Sequence, residues 1–265
     1  MSNLRISLIQ GATLWHDPAG NRDYYGGLMS SLRGLTDLVV LPETFTSGFS
    51  NEAITDAETM DGETVAWLRE QAARLDAAVT GSVQIRDGDR VVNRMLFAKP
   101  DGELHHYDKR HLFRYADEHK RYAAGRDRIT VEWKGWRICP LVCYDLRFPV
   151  FSRNRFDVER AGQPDYDLAL YVANWPAARA HAWKTLLRAR AIENLCYVAG
   201  VNRVGIDGNN LSYAGDSSVI DYLGDALSEC TDSEMVTTTT LLSAGLRAHR
   251  EHFPAMLDGD TFEIT

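Results

Sequence analysis

Short apolar runs recur along this chain and alternate with longer amphipathic stretches. Several of the runs, such as residues 38–41 and 168–172, are continuously apolar, which is typical of strands that are covered on both faces. The runs that predict strands are residues 4–9, 38–41, 77–83, 95–98, 138–142, 168–172, 196–201 and 218–222.

Two stretches carry apolar residues at helical spacing. The first stripe consists of Val65, Leu68, Ala72 and Leu75, and the second of Trp183, Leu186, Leu187 and Ala191. Residues 21–35 and 241–252 show weaker helical patterns. Strands interleaved with helices predict an α/β domain built from layers of sheet and helix. Periodicity alone leaves open whether that domain holds one doubly wound sheet or a sandwich of two sheets.

Composition narrows the class of protein. A chain of 265 residues without a linker or a low-complexity tract predicts a single domain over residues 1–265. The net charge of −8 and the lack of a Lys/Arg block argue against a nucleic-acid partner. We see neither a signal-peptide pattern nor an apolar run long enough to span a bilayer, so we expect a cytoplasmic protein that does not bind membranes. The four cysteines do not make a disulfide framework.

The first candidate for chemistry is Cys143, which ends the apolar run 138–142 at a polar turn. A thiol at the end of a strand lies at the rim of a sheet, where loops can surround a nucleophile with donors and bases. The competing interpretation is a small buried hydrophobic residue, the common fate of a free cysteine. The polar residues Asp145 and Arg147, so close in sequence, favour the nucleophile.

Two more polar residues stand out. Glu43 follows the strand 38–41 and could be a general base in a partly desolvated site, although a solvated loop residue is the commoner case. Lys109 lies among aromatic and apolar neighbours after a predicted hairpin turn at residues 98–103. It could stabilise an oxyanion or belong to a charged surface cluster. From composition and spacing alone, Glu43, Lys109 and Cys143 cannot be assigned to one site.

Other kinds of site find less support. A zinc site would use soft ligands from His105, His106, His111, Cys139 and Cys143, but their spacing matches no common zinc motif, and we predict no metal. The chain has no Gly-rich phosphate loop and no G-x-S-x-G elbow. A nucleotide-binding protein and a serine hydrolase are therefore disfavoured.

The chain resembles the nitrilase superfamily of carbon–nitrogen hydrolases in three segments taken together, which are residues 41–43, 107–113 and 143–149. The resemblance continues through residues 171–176, 188–194, 201–205 and 213–218, so that it covers nearly the whole chain. Within the superfamily the sequence is most similar to the bacterial ω-amidase branch. The features that carry this likeness lie in residues 43–50, 109–114 with Glu118 and His119, and 171–176.

The resemblance implies a four-layer α-β-β-α sandwich whose protomers pair into a homodimer or a higher homo-oligomer. It implies an amidase without a cofactor that acts on the ω-amide of α-ketoglutaramate and α-ketosuccinamate. Carried onto this chain, the resemblance implies that Cys143 is the nucleophile and Glu43 the base. It also implies that Lys109 is the cation that stabilises the oxyanion and that Glu118 holds this lysine in place. The backbone N–H of Tyr144 would be a second oxyanion donor.

The resemblance also suggests residues that touch the substrate. Trp175 follows a predicted strand and should face the pocket, although it could also be simple packing. The substrate carboxylate calls for a cationic or N–H-rich partner, and Arg114 and Arg147 are candidates. Arg147 has a competing role, since it could pair with Asp145 or another acid to brace the turn after Cys143. The complete set of predicted substrate-binding residues is Trp175, Phe113, Phe45, Tyr115, Arg114 and Arg147.

Three alternatives stay open at this point. The chain could be another carbon–nitrogen hydrolase, such as a carbamoylase or a nitrilase. It could be a non-catalytic interaction protein with the nitrilase fold, which the joint presence of Glu43, Lys109 and Cys143 disfavours. It could also be a zinc protein that uses its His and Cys residues.

Overall fold

The computed structural model describes residues 1–157, 163–260 and 262–263 of the chain. The first of its two large sheets has the strand order β16-β1-β2-β3-β4-β5. Strands β1, β2 and β3 are parallel, and β16, β4 and β5 are added antiparallel. The strands are β1 (Leu4–Gln10), β2 (Leu38–Val40), β3 (Ala78–Asp87), β4 (Arg90–Ala98), β5 (Leu104–Asp108) and β16 (Met235–Leu241).

The second large sheet has the order β15-β14-β11-β10-β7-β6. Here β7, β10 and β11 are the parallel strands, and the others are antiparallel to their neighbours. The strands are β6 (Val131–Trp133), β7 (Trp136–Val142), β10 (Leu168–Ala173), β11 (Tyr197–Asn202), β14 (Ser218–Ile220) and β15 (Ala226–Glu229). Two short hairpins complete the strands: β8 (Phe156–Asp157) with β9 (Gln163–Pro164), and β12 (Val204–Ile206) with β13 (Ser212–Ala214).

The helices are α1 (Pro18–Met29), α2 (Glu63–Leu75), α3 (Pro149–Ser152), α4 (Ala180–Asn194) and α5 (Ser243–His252). Helices α1 and α2 pack on the first sheet and α4 packs on the second. The apolar stripe of α2 packs with α1 on the first sheet, and the stripe of α4 packs on the second. Gly200 in β11 allows this close approach, because a Cβ there would lie 2.5 Å from Leu187 Cδ1.

Two clusters of buried side chains hold the layers together. The larger one joins Leu8 and Val40 of the first sheet to Leu141 and Val172 of the second, and it continues to Leu187 of α4. The smaller one lies between the first sheet and its helices. Burying a large aliphatic side chain stabilises a fold by roughly 1.5–3 kcal/mol. The layers therefore follow the order helix, sheet, sheet, helix, and the predicted four-layer α-β-β-α sandwich is confirmed.

Each predicted strand and helix exists, with ends that differ by a few residues. The weak pattern at residues 21–35 corresponds to the shorter helix α1, which starts at Pro18 and ends at Met29. The edge strand β16 was not predicted because its centre is the polar run Thr237 to Thr240. No helix among the described residues combines the length and the apolar character that crossing a bilayer requires.

Candidate active site

Glu43 lies just after β2, and its carboxylate is fully buried. Its Oε1 accepts hydrogen bonds from Asn93 Nδ2 at 2.9 Å and from Lys109 Nζ at 2.9 Å. Its Oε2 accepts one from the backbone N–H of Asn174 at 2.8 Å. Donors from both sheets therefore hold this carboxylate in one orientation, and orientation is what a general base requires.

Lys109 follows β5 and is also buried. Its Nζ lies 2.9 Å from Glu43 Oε1 and 3.0 Å from Glu118 Oε1, and it sits 5.3 Å from the centroid of the Phe49 ring. Burial acts to lower the pKa of Lys109, but the carboxylates of Glu118 and Glu43 outweigh it and raise this pKa well above its usual value. The lysine is therefore a fixed cation.

Glu118 begins a short 3-10 turn and is completely buried. Its carboxylate bonds Lys109 Nζ and also accepts the backbone N–H of Phe113 at 2.5 Å. Burial raises the pKa of Glu118, while Lys109 acts to lower it. The structure thus places Glu118 against the lysine rather than on a helix surface, which was the competing interpretation of this segment.

Cys143 comes directly after β7 and is half-buried. Its φ of 44° is uncommon for a residue other than glycine, and it marks the sharp turn that carries the thiol out of the strand. Its Sγ lies 4.0 Å from the carbonyl oxygen of Asn174, to which the thiol can donate. Burial and the negative charge of Glu43 raise the pKa of the Cys143 thiol well above its usual value, and Lys109 only partly opposes this.

Asp145 braces the turn that follows Cys143. Its Oδ2 accepts the backbone N–H of Val142 at 3.0 Å and the hydroxyl of Tyr107 at 2.8 Å. Its Oδ1 accepts the backbone N–H of His111 at 3.0 Å and lies 2.8 Å from His111 Nδ1. This buried carboxylate therefore ties the Cys143 turn to the segment that carries Lys109.

Asn174 was not predicted to belong to the site. Besides its backbone bond to Glu43, its side-chain Nδ2 donates to the carbonyl oxygen of Glu43 at 2.7 Å and to Thr44 Oγ1 at 3.0 Å. Its position at the end of β10, a strand next to β7, is the signal that could have found it. Asn93 was not predicted either, and its signal is different: it is a polar side chain inside the buried strand β4.

A cavity of about 200 Å³ opens next to these side chains. Its inner end holds Glu43, Lys109, Cys143 and Asn174, and its walls are mostly aromatic and aliphatic. The residues that line it are Glu43, Phe49, Lys109, Phe113, Tyr115, Ala116, Cys143, Tyr144, Arg147, Asn174, Trp175, Pro176, Ala178, Arg179, Leu211 and Tyr213. A volume of this size suits a small linear molecule.

The structure sorts the predicted substrate-binding residues into two groups. Trp175, Phe113, Tyr115 and Arg147 line the cavity, together with Tyr144, whose N–H was the predicted oxyanion donor. Phe45 and Arg114 are not among the described residues that line it.

The packing explains why Phe45 and Arg114 lie outside this lining. The Phe45 side chain points into the core between the first sheet and its helices, where it meets the rings of Tyr25 and Trp67. Arg114 is exposed on a 3-10 turn, outside the residues that face the cavity.

Two guanidinium groups mark the outer part of the cavity. Arg147 lies over the ring of Trp175, 4.9 Å from its centroid, and does not pair with Asp145, whose oxygens are bound elsewhere. Arg179, which the sequence did not single out, lies 5.4 Å from the Phe113 ring centroid and 5.9 Å from that of Tyr115. These cations make the outer end able to attract an anionic group.

The predicted alternative ligands for zinc are scattered. His111 is bound to Asp145, and Cys139 is buried in β7 with its pKa raised to about 12 by burial. Within the part of the chain that the structure describes, no group of three or more His, Cys, Asp or Glu side chains is placed to hold a metal ion.

Comparison with known proteins gives consistent matches along the chain. Residues 5–251 match the family described as carbon-nitrogen hydrolase. Omega-amidase YafV of Yersinia enterocolitica is 49% identical over 263 residues, 99% of each chain. The 2-oxoglutaramate amidase of Bacillus subtilis is 36% identical over 196 residues, 73% of each chain. The crystal structure of XC1258 from Xanthomonas campestris, a CN-hydrolase superfamily protein with an arsenic adduct in its active site, is 70% identical, covers 100% of both chains and has a TM-score of 0.99.

Proposed function

The chain belongs to the carbon–nitrogen hydrolase family and is an amide-hydrolysing enzyme, and we propose that it acts on the ω-amide of small 2-oxo acids. The substrates would be α-ketoglutaramate and α-ketosuccinamate, and the products the dicarboxylic acid and ammonia. The observation that carries this proposal is one cavity with Glu43, Lys109 and Cys143 at its inner end and Arg147 and Arg179 at its outer end. The names of the similar omega-amidase and 2-oxoglutaramate amidase support the substrate class.

Acylation would start from the neutral thiol. Because burial and Glu43 hold the pKa of the Cys143 thiol high, the proton stays on sulfur until attack begins. Glu43 takes that proton while Sγ bonds to the amide carbon, and the carbonyl oxygen becomes an oxyanion. Glu43 then gives the proton to the amide nitrogen, the C–N bond breaks, ammonia leaves and a thioester remains on Cys143.

Two groups would stabilise the oxyanion. One is the ammonium of Lys109, which the surrounding carboxylates keep protonated. The other is the backbone N–H of Tyr144, in the first turn of the 3-10 helix that starts at Cys143. First-turn amides have no acceptor inside their own helix, so this donor is available to a substrate. Losing one oxyanion donor typically costs about 2.7–4 kcal/mol of barrier lowering.

Deacylation would repeat the same proton transfers, with water as the attacking group and the Cys143 thiolate as the leaving group. A water molecule loses a proton to Glu43 and attacks the thioester carbon. Collapse of the second oxyanion breaks the C–S bond, and the thiolate of Cys143 recovers the proton from Glu43. One buried carboxylate therefore serves both half-reactions, which suits its fixed orientation by Asn93 and Asn174.

The anionic head of the substrate would lie between Arg147 and Arg179. Guanidinium groups match carboxylates through paired N–H donors, and each charge-assisted hydrogen bond contributes roughly 1.5–3 kcal/mol. Apart from Glu43 at the inner end, no carboxylate belongs to the described lining. A 2-ammonium group, as in glutamine, would face these cations without an acceptor, so the cavity favours the 2-oxo acid.

The test measures ammonia release from α-ketoglutaramate, asparagine, glutamine, a carbamoyl amino acid and a nitrile. We expect the highest kcat/KM for α-ketoglutaramate, and intact-mass detection of an acyl adduct that is absent in Cys143→Ala. Activity confined to the carbamoyl compound or the nitrile would refute the proposed substrate. An active Cys143→Ala protein would refute the nucleophile.

We also propose that the protein is a cytoplasmic homodimer with one catalytic domain per chain, as the family resemblance implies. Ile192 on α4 and the neighbouring Leu223 expose 51% and 57% of their surface. They meet at Gly224, where an added Cβ would lie 2.6 Å from Ile192 Cδ1. Exposed apolar patches often mark interfaces. Sedimentation velocity should give about twice the chain mass of 29.8 kDa.

A further inference from the structure

A second cavity, separate from the one that holds Cys143, is lined by arginines. It has a volume of about 570 Å³, and its lining residues are Arg110, Arg126, Asp127, Arg128, Val150, Phe151, Arg153 and Arg155. Among the described lining residues five are arginines and one is an acid, in a chain whose net charge is −8. Such a concentration of like charge raises the free energy of the empty site and favours binding of an anion.

Backbone carbonyls help to position three of these five guanidinium groups, those of Arg110, Arg128 and Arg153, while Arg128 and Arg155 also bind the carboxylate of Asp165. Arg110 Nη1 donates to the carbonyl of Gly125 at 3.3 Å, and Arg153 Nη1 donates to that of Glu193 at 2.6 Å. A carbonyl oxygen orients a guanidinium without neutralising it. Positive charge therefore remains on groups that the fold already holds in place.

Arg128 forms the fixed floor of this cavity. Its side chain is only 10% exposed, and it donates to the carbonyls of Phe151 and Arg153. It shares the carboxylate of Asp165 with Arg155. Among the described residues at this cavity, Asp127 and Asp165 offset only part of the charge of the five arginines.

We propose that this cavity binds a compound with two or more adjacent phosphoryl groups. Guanidinium groups recognise phosphate oxygens through paired N–H donors, which makes arginine better suited to phosphates than lysine. Several arginines around one cavity match an anion with several charges, and the volume exceeds that of a single phosphate ion. The sequence holds no glycine-rich phosphate loop, so the arrangement of arginines alone points to this ligand.

The cavity is linked to the Cys143 turn by direct contacts. The Phe151 ring in its wall meets the His111 ring edge to face at 5.2 Å and lies 6.4 Å from the Tyr107 ring. His111 and Tyr107 both bond Asp145, which holds the turn after Cys143. A ligand that shifts Phe151 would therefore change the position of the thiol, and the site would regulate turnover.

The test titrates the full-length protein with inorganic pyrophosphate by calorimetry at low and at physiological salt. We expect saturable binding that weakens with salt. The double variant Arg110→Gln/Arg126→Gln should bind at least about tenfold more weakly, a change worth 1.4 kcal/mol. Arg33→Gln/Arg69→Gln removes the same charge from two exposed arginines outside the cavity and should bind as the wild type does.

Arg126→Gln alone serves as the second variant, since Arg126 is exposed and its loss leaves the fold and the basal activity intact. Adenosine diphosphate, orthophosphate and 2-oxoglutarate are the comparison ligands. Tighter binding of pyrophosphate and adenosine diphosphate than of orthophosphate and 2-oxoglutarate supports the proposal. No saturable binding, equal weakening in the control variant, or equally tight binding of 2-oxoglutarate overturns it. A rate of ammonia release that is unchanged at saturating pyrophosphate overturns the link to Cys143.

Discussion

Replacing Glu118 by Gln isolates the role of the second carboxylate beside Lys109. The substitution keeps the shape of the side chain but removes its charge. The two carboxylate oxygens accept separately from Lys109 Nζ and from the Phe113 N–H, and in the amide one of these oxygens becomes an NH2 group that faces a donor and cannot accept from it. One charge-assisted bond is lost, and Lys109 is left with Glu43 as its only carboxylate partner in the described site.

The size of the effect follows from that lost bond. A hydrogen bond to a charged group contributes about 1.5–3 kcal/mol. If the whole loss appears in the transition state, kcat/KM falls by roughly 10- to 150-fold, since 1.36 kcal/mol is a factor of ten. Part of this loss of activity comes through Glu43. With Glu118 neutral, Lys109 hydrogen-bonds Glu43 more strongly, and a carboxylate in a stronger hydrogen bond accepts a proton less readily.

Stability should change much less than activity. Burial raises the pKa of Glu118, so folding disfavours the ionised form of this side chain. At a pH above its unfolded-state pKa, the buried carboxylate therefore lowers the free energy of unfolding. Removing the charge relieves that cost, while losing a hydrogen bond opposes the gain. We expect Tm at pH 7 to move by no more than a few degrees, since about 1 kcal/mol corresponds to roughly 2–4 °C in a chain of this size.

The matched control is Asp117→Asn. Asp117 is the neighbouring acid, is exposed and pairs only with Lys120, 3.0 Å away. Its φ of 57° is one that asparagine tolerates. This variant should keep wild-type kcat/KM for α-ketoglutaramate in the ammonia-release assay. Wild-type activity in Glu118→Gln, or an equal loss in both variants, would falsify the assignment of Glu118 to the site.

Three further outcomes follow from the site. Since burial and Glu43 raise the pKa of the Cys143 thiol, the rate of inactivation by iodoacetamide should climb with pH beyond the ordinary thiol pKa of about 8.5, and a plateau below neutrality would contradict this. Arg179→Gln should raise KM for α-ketoglutaramate by roughly tenfold or more while sparing turnover of an uncharged amide, and equal losses on both substrates would show a structural role. The pKa of Lys109 is raised in the folded state, so this lysine contributes its full stabilisation below its unfolded-state pKa of about 10.4 and loses it as pH rises further. In denaturant titrations above that pH, the free energy of unfolding should therefore fall less in Lys109→Met than in the wild type.

The sequence predicted the fold where local patterns were strong. The buried strands β2 and β10 are apolar throughout, β1 and β7 are mostly apolar, and burial is what sets an apolar pattern. The strand β16 escaped prediction because an edge strand with one polar face lacks that signal. Whether the strands form one sheet or two depends on contacts between distant residues, such as the pairing of Leu4 with Leu241. No local pattern records such contacts.

For the site, strand ends indicated Glu43 and Cys143, and the family resemblance connected them to Lys109. What could not be predicted is the direction in which a loop side chain points. Phe45 follows the same strand as Glu43 and yet turns into the core, whereas Arg179 lies in an unremarkable 3-10 turn and yet faces the cavity. Those directions depend on the packing of the assembled layers.

Asn174 has one further consequence, which concerns the route by which the protein folds. It belongs to the second sheet, but it binds the side chain and the backbone of Glu43, which extends from the first. Glu43 and Lys109 extend from the first sheet and Cys143 from the second, so neither sheet alone brings the three side chains together. We therefore expect recovery of amidase activity during refolding to report the docking of the two sheets.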